Sequence, residues 1–539
     1  MNTIIRFLAL LLVLAQPFRT AAQVRFDADF ESGAVGSVQL LDSARIIVAP
    51  GDTVTHLSYL VGGRFDPVNP VDTALAPSAN WYYFRMTGVK GKQIYLTLRD
   101  NGVARTSFSY DGTRWDHLPL AESERHRIQK RFTRDTAFLA LYNPYNYSYL
   151  QQRLAAWTAR PDVQLDTIGF SHEGRPLQLL HITDPSVPDA KKARIWIHGR
   201  IHPSETPASY LVDGLVEYLT GDTPAARALR QQVDAYILPF ANPDGVADGL
   251  SRSNALGVNQ EINFGRSEDS TVVEVRAIKR KLEQLTAERP FDIVLNSHSQ
   301  HSESATFWMH RGSSTSSTYF RKLWTFTGLV CSFNPAIRPL DMNFSDMAPR
   351  YVEGWIWDRF SDNTVALTIE TPYSCYSFNR DGLWADDGNL RAFGCRTMQA
   401  IAEYLGLSLP GRYLIETPGR MKADWVPFRD DTHSYLGTEA WRAVRPGAKV
   451  TYQMENLPAG RYALYRFVGG DCIEPVDYDL RDPQTGRWID PGVHGWVYQG
   501  TVEQARNGRF RYTWRAAAEG DLADALLLVH LENDDIIKF

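Results

Sequence analysis

The sequence has little of what usually declares a function at once. Its 539 residues hold four cysteines, Cys331, Cys375, Cys395 and Cys472, and none forms a Cys-x-x-Cys pair. That disfavours a cysteine zinc site and thioredoxin-like redox chemistry. Four cysteines allow two disulfides, but a chain this long builds its core without staples, so isolated buried thiols are expected at least as readily as bridges. An excess of one charge is also missing: 57 Lys and Arg face 62 Asp and Glu, a net charge of −5, and no long block of like charge asks for nucleic acid. The densest basic stretch (Arg125, Arg127, Lys130, Arg131, Arg134) also carries Glu122 and Glu124 and reads as a solvated face. No GxSxG elbow, GxGxxG after a strand, Walker A loop or HExxH helix is present. No apolar run approaches the length needed to cross a bilayer.

What is present is ordinary globular composition, 44% hydrophobic and 22% charged, with room for several domains. At the N-terminus, Arg6, the apolar run Phe7 to Ala15 and the small residues Thr20-Ala21-Ala22 read as a signal peptide over residues 1–22, cut near Ala22. The expectation is an exported protein, secreted or periplasmic, whose mature chain starts near Gln23.

Three parts follow. Residues 23–155 alternate short β-type runs (SVQLL, RIIVA, WYYFRM, QIYLTL) with turn pairs such as Pro50-Gly51 and Asp111-Gly112, the pattern of a β-sandwich. Residues 156–408 alternate strands and helices. RIWIHG, AYILPF, FDIVLNSH and TVALTIE read as strands; helices are expected over 207–219, 270–288, 319–330 and 391–406, the first with Thr206 as its cap. This is an α/β domain around a central mixed, largely parallel sheet with helices on both faces. Residues 409–539 return to β-type runs and suggest a second sandwich.

Chemistry concentrates at the ends of the α/β strands, where open sheets place their sites. His202 and Glu205, in HGRIHPSE, can turn onto one Zn²⁺; alone, they read equally as a surface His and a capping Glu. His298 ends FDIVLNSH, and a lone strand-end His is commonly structural. Glu370 ends TVALTIE, where a salt bridge would justify it as well as catalysis would. Together they are worth more: two His and one Glu make the open three-ligand zinc site of a hydrolase, and a second Glu serves as base for the water.

At these residues the α/β part resembles the zinc metallocarboxypeptidases, the funnelin family, and most closely their cytosolic carboxypeptidase branch, in an exported form with an extra C-terminal β-domain. GRIHPSETPAS is similar to that branch's zinc motif, PFANPDGVADGLSR to the segment leading to its catalytic arginine, LNSHSQ to the third-ligand strand and ALTIE to the strand of the general base. DADFESGAVGSV, NWYYFRM and LALYNPYNYSYLQQ are similar to the small β-domain that precedes the catalytic domain there. The resemblance implies one Zn²⁺ per chain held by His202, Glu205 and His298, with Glu370 as general base and then acid. It implies Arg252 as the residue that polarises the scissile carbonyl. His198 is a competing ligand that packs or hydrogen-bonds more plausibly, and His301 is expected to face the other way.

One departure stands out. Where the family has an Asn-Arg pair for the substrate's terminal carboxylate, this chain has Glu261 and Ile262. An anion repels a carboxylate and isoleucine offers no donor. Another cation, Arg266, is one candidate replacement. A substrate with a cationic or neutral group, hence an amidase or esterase, is a second explanation, and binding without turnover a third. A substrate-capping tyrosine has three candidates, Tyr351, Tyr373 and Tyr376. The expected activity is a secreted zinc-dependent hydrolase cleaving an amide bond of a peptide or peptide-like substrate. The competing readings are an amidase or esterase indifferent to a free C-terminus, and a zinc-retaining binder of glycan or peptide. The C-terminal aromatics (Trp441, Tyr452, Tyr462, Tyr465, Trp488, Trp496, Tyr498, Trp514) read as a sugar-stacking face or, more commonly for such a domain, as core.

Overall fold

Strands that must be buried on both faces are apolar throughout rather than alternating, and four such segments organise the α/β part. In the computed structural model the described residues are 24–531, apart from 101, 335, 339–340, 417–420, 422, 430–432 and 471–493. The expected signal peptide, Cys472 and Trp488 lie outside them. The central sheet has eight strands: β1 (Val163–Phe170), β2 (Pro176–Ile182), β3 (Ala193–Gly199), β4 (Val233–Leu238), β5 (Ile293–Gln300), β6 (Thr306–His310), β7 (Met342–Ser345) and β8 (Val365–Pro372). Their spatial order is β1-β2-β4-β3-β5-β8-β6-β7. The middle four, β4, β3, β5 and β8, run parallel, whereas β1, β2 and the β8–β6 junction pair antiparallel. The sheet is therefore mixed, with four parallel strands at the centre and a further parallel pair, β6–β7, at one edge.

Helices α1 (Thr206–Thr220), α2 (Pro243–Asp248), α3 (Val273–Thr286), α4 (Ser317–Phe333), α5 (Val352–Phe360) and α6 (Asp387–Tyr404) fill the connections. One face of the sheet presents Trp196, Val294 and Ala366 to Val275, Ile278 and Leu282 of α3 and to Val352, Trp355 and Ile356 of α5. On β3, β5 and β8 lies also α1, almost wholly buried, with α6 packed along it. Those two helices meet backbone to backbone: a Cβ on Gly214 would fall 2.0 Å from Arg391 O, and one on Gly394 2.0 Å from Leu211 O.

By its packing the chain divides into two units. One comprises the described residues up to Arg64 with Tyr82–Leu141, the other Phe65–Trp81 with the described residues from Tyr142 onward. The first holds two five-stranded sheets, built around Tyr83–Thr87 and Gln93–Leu98. The C-terminal residues of the second are β-rich, in sheets of four, three and two strands. Their aromatics are mostly core: Tyr452 and Tyr462 are buried in one apolar cluster with Trp441 and Trp514 packed against it, while Tyr498 is exposed. Cys331 and Cys375 are buried thiols, and Cys395 Sγ donates to Gly214 O.

Candidate active site

The loop leaving β3 is shaped by Arg200. Its backbone is left-handed (φ +54°), and its buried guanidinium donates to Pro203 O, Tyr145 O and Ser209 Oγ. This turns His202 and Glu205 inward. Glu205, not Thr206, occupies the cap position of α1, yet its carboxylate makes no cap bond. It faces the two histidines instead. Glu205 Oε1 lies 2.8 Å from His202 Nδ1, and Oε2 lies 2.8 Å from His298 Nδ1 and accepts from Ser299 N. The helix start is served by Ser299 Oγ of β5, which accepts from Ala208 N at 2.9 Å. Ligand geometry has displaced the usual capping chemistry.

His202, Glu205 and His298 each bring one ligand atom to a set lying within 4.8 Å of one another, and all three are buried. Burial pushes His202 down, toward the neutral imidazole a metal requires. Burial also opposes charge on His298, but the carboxylates of Glu205 and Glu261 outweigh it and raise that imidazole well above its ordinary range. The buried Glu205 carboxylate faces both Nδ1 atoms, and a buried anion there calls for positive charge. The donor set, two imidazoles and a carboxylate, suits Zn²⁺.

Behind each histidine stands a further group. His202 Nε2 is 3.2 Å from Asn259 Oδ1, and His298 Nε2 is 3.1 Å from Glu261 Oε2. Asn296 Nδ2 donates to Glu261 Oε1 and to Glu353 Oε1, each at 3.2 Å, and Thr368 Oγ1 also donates to Glu353. The β5–β8 register explains this layering: Asn296 pairs with Thr368, and one step up His298 pairs with Glu370.

A cavity of about 550 Å³ opens on the three ligands, and Arg252, Glu261, Trp308, His310, Arg350, Tyr351, Glu353 and Glu370 also line it. Trp308 Nε1 donates to Glu370 Oε1 at 3.1 Å, and Oε2 has no partner among the described residues. Burial pushes this carboxyl up, to about 7. Arg252 is presented by a loop held on Asp66, whose carboxylate accepts from Ser251, Arg252 and Ser253 N at 2.7, 2.8 and 2.9 Å. The same loop is tied to the ligand loop, since Ser204, between His202 and Glu205, donates its N–H and its hydroxyl to Ser251 O.

The other expected residues are placed less uniformly. Glu261 reaches the cavity but Ile262 does not line it, and Arg266 lines a separate polar pocket with Arg276, Lys279 and Arg280. The chain turns through a short 3-10 helix at Gln260–Asn263, which carries Arg266 away from the ligands. Arg350, unremarked in the sequence, is the cation on the cavity wall besides Arg252 among the described residues. It lies over the Tyr351 ring at 4.8 Å. Of the tyrosines, Tyr351 lines the cavity; Tyr373 donates to Ser204 O and stacks on His301, and Tyr376 is buried against Phe393. His198 is buried in the sheet, accepting from Trp196 Nε1, and burial pushes it down to about 4.

Residues 150–325 match the peptidase M14 model, zinc carboxypeptidase. Cytosolic carboxypeptidase 6 of Mus musculus is 29% identical over 259 residues, covering 43% of this chain and 44% of that one. Cytosolic carboxypeptidase 3 of Mus musculus is 24% identical over 275 residues, covering 44% and 27%. The chain thus spans less than half the length of these relatives. Among solved structures, a metallo-carboxypeptidase from Burkholderia cenocepacia shares the fold with a TM-score of 0.57 at 22% identity, over 71% of this chain and 99% of that one. One from Pseudomonas aeruginosa, in complex with (2-guanidinoethylmercapto)succinic acid, does so with a TM-score of 0.56 at 19% identity, over 71% and 99%. By that match and those relatives, residues 150–325 are similar to a zinc carboxypeptidase domain of the peptidase M14 type, and the solved structures share the fold.

Proposed function

We propose that the chain is an exported zinc-dependent hydrolase that removes a residue from the C-terminal end of a peptide or peptide-like substrate. The observation that carries this is the convergence of His202, Glu205 and His298 on one cavity that Glu370 and Arg252 also line. His202 Nδ1, the Glu205 carboxylate and His298 Nδ1 would hold the metal. When bound, Zn²⁺ supplies Lewis acidity toward carbonyl and water.

The protein's own groups do the rest. Glu370 takes the proton from the attacking water and returns it to the departing nitrogen, so one carboxyl serves as base and then acid. Burial raises its pKa to about 7, which suits both halves, and Trp308 holds one oxygen while the other is left free of partners among the described residues. Arg252 offers its guanidinium to the negative charge that develops on the carbonyl oxygen. Arg350 takes the terminal carboxylate in the role for which Arg266 is too remote, and Tyr351 closes over the substrate. The N-terminal residues that read as a signal peptide support export.

A second reading is favoured by one specific observation. Glu261 stands where the family's carboxylate-binding asparagine would be, and it is buried at the ligands. An enzyme of this form would cleave amides or esters without needing a free C-terminus. The two are separated by mass spectrometry on one peptide library in two forms, free acid and C-terminal amide. Trimming of the free acid alone, lost in Arg350→Ala, supports the exopeptidase. Equal cleavage of the amidated form overturns it in favour of the amidase.

A further inference from the structure

A histidine that ligates a metal through one ring nitrogen has its other N–H available, and the group that accepts it sets the tautomer, the ring orientation and the donor strength. In this chain the two ligand histidines are served unequally. Behind His202 stands a neutral amide oxygen, Asn259 Oδ1 at 3.2 Å; behind His298 stands a carboxylate, Glu261 Oε2 at 3.1 Å. We infer that Glu261 is a positioning residue for the metal, acting through His298, and not a substrate contact.

Three features point this way. Glu261 is 6% exposed, so little of it is open to a ligand although it borders the cavity. Its second oxygen is engaged: Oε1 accepts from Asn296 Nδ2, which is itself completely buried. Asn296 is in turn held by Glu353 Oε1, and Glu353 is kept in place by Thr368. The Glu261 carboxylate is therefore clamped from below by the next layer of β5 and β8 and directed at the back of His298. Both Glu261 oxygens lie against protein: Oε1 accepts from Asn296 Nδ2, and Oε2 is buried 3.1 Å from His298 Nε2, an ion-pair contact not aligned as a hydrogen bond. Asn259, a neutral amide, cannot supply the same electrostatic pull on His202. The departure at position 261 is then an exchange of roles: a position that meets substrate in the family supports the metal here.

This inference rests on the zinc reading above, and its test is zinc affinity, measured on the full chain by competition with a chromophoric chelator. Glu261→Gln is expected to weaken zinc binding about 10–100-fold, with KM for a peptide substrate unchanged once zinc saturates the site. Glu261→Asp, which keeps the charge but withdraws it by one methylene, falls between and covers the case in which the glutamine variant fails to fold. Asn259→Asp added to Glu261→Gln restores a carboxylate behind the other histidine and recovers part of the affinity, which a merely structural role for Glu261 would not produce. Unchanged zinc affinity with an altered KM overturns the inference alone. A wild-type chain that takes up no zinc overturns the hydrolase reading and this inference with it.

Discussion

Asp66 Oδ2 accepts the backbone N–H of Arg252 at 2.8 Å, across 186 positions of sequence, and the same carboxylate holds Ser251 and Ser253 on either side. The residue proposed to meet the reacting carbonyl is thus aimed by a carboxylate from a segment far earlier in the chain. Removing it strands three amide donors, two of them on buried residues. Asp66→Ala is expected to cost on the order of 2 kcal/mol or more in stability. It is also expected to lower kcat by at least tenfold with a smaller change in KM. Combined with Arg252→Ala it should add little further loss of kcat, because both act on one guanidinium. A fully additive double mutant would place Asp66 outside this role.

Glu370→Gln keeps the shape of the side chain and the Trp308 contact but cannot take a proton. Turnover should fall about 10²–10⁴-fold while zinc content stays that of the wild type. Metal analysis alongside steady-state kinetics checks both halves.

The crossing of α1 and α6 depends on two glycines. Gly394→Ala places a methyl group 2.0 Å from Leu211 O, and backbone cannot swing aside as a side chain does. The expected cost is about 3 kcal/mol or more, at the upper end of overpacking, seen as a lowered denaturant midpoint.

Asp524 in the C-terminal β-rich part is fully buried and accepts from Tyr435 N at 2.7 Å; burial pushes its carboxyl up to about 7. A raised folded-state pKa makes its contribution to stability complete below about pH 4, the unfolded value, and loses it as pH climbs through 7. Asp524→Asn cannot ionise. Its Tm relative to wild type should therefore rise between pH 4 and 8, and a constant difference across that range would contradict the assignment.

His202, Glu205, His298 and Glu370 could be singled out because they recur together, as polar groups at the ends of apolar strands or in a loop leaving one; singly, each had a structural explanation. The four parallel strands were legible as continuous apolar runs. Strand β6 and helix α5 were not, being five and nine residues long with aromatic and charged residues mixed. Asp66, Glu353 and Arg350 escaped notice because their roles exist only once distant segments meet. Arg266 was misplaced by linear reasoning: nearness to Glu261 in sequence says nothing about which way the chain leaves the 3-10 turn. Thr206 looked like a cap by propensity alone, and lost that place to a residue whose carboxylate had other work.

The central claim is that three residues hold zinc for a reaction in which Glu370 moves the proton. The most direct measurement is zinc content and peptide hydrolysis determined on the same preparations of wild type, His298→Ala and Glu370→Gln. The account predicts one zinc per chain in wild type and Glu370→Gln, loss of zinc in His298→Ala, and hydrolysis in wild type alone. Zinc retained by His298→Ala, or hydrolysis undiminished in Glu370→Gln, would contradict it.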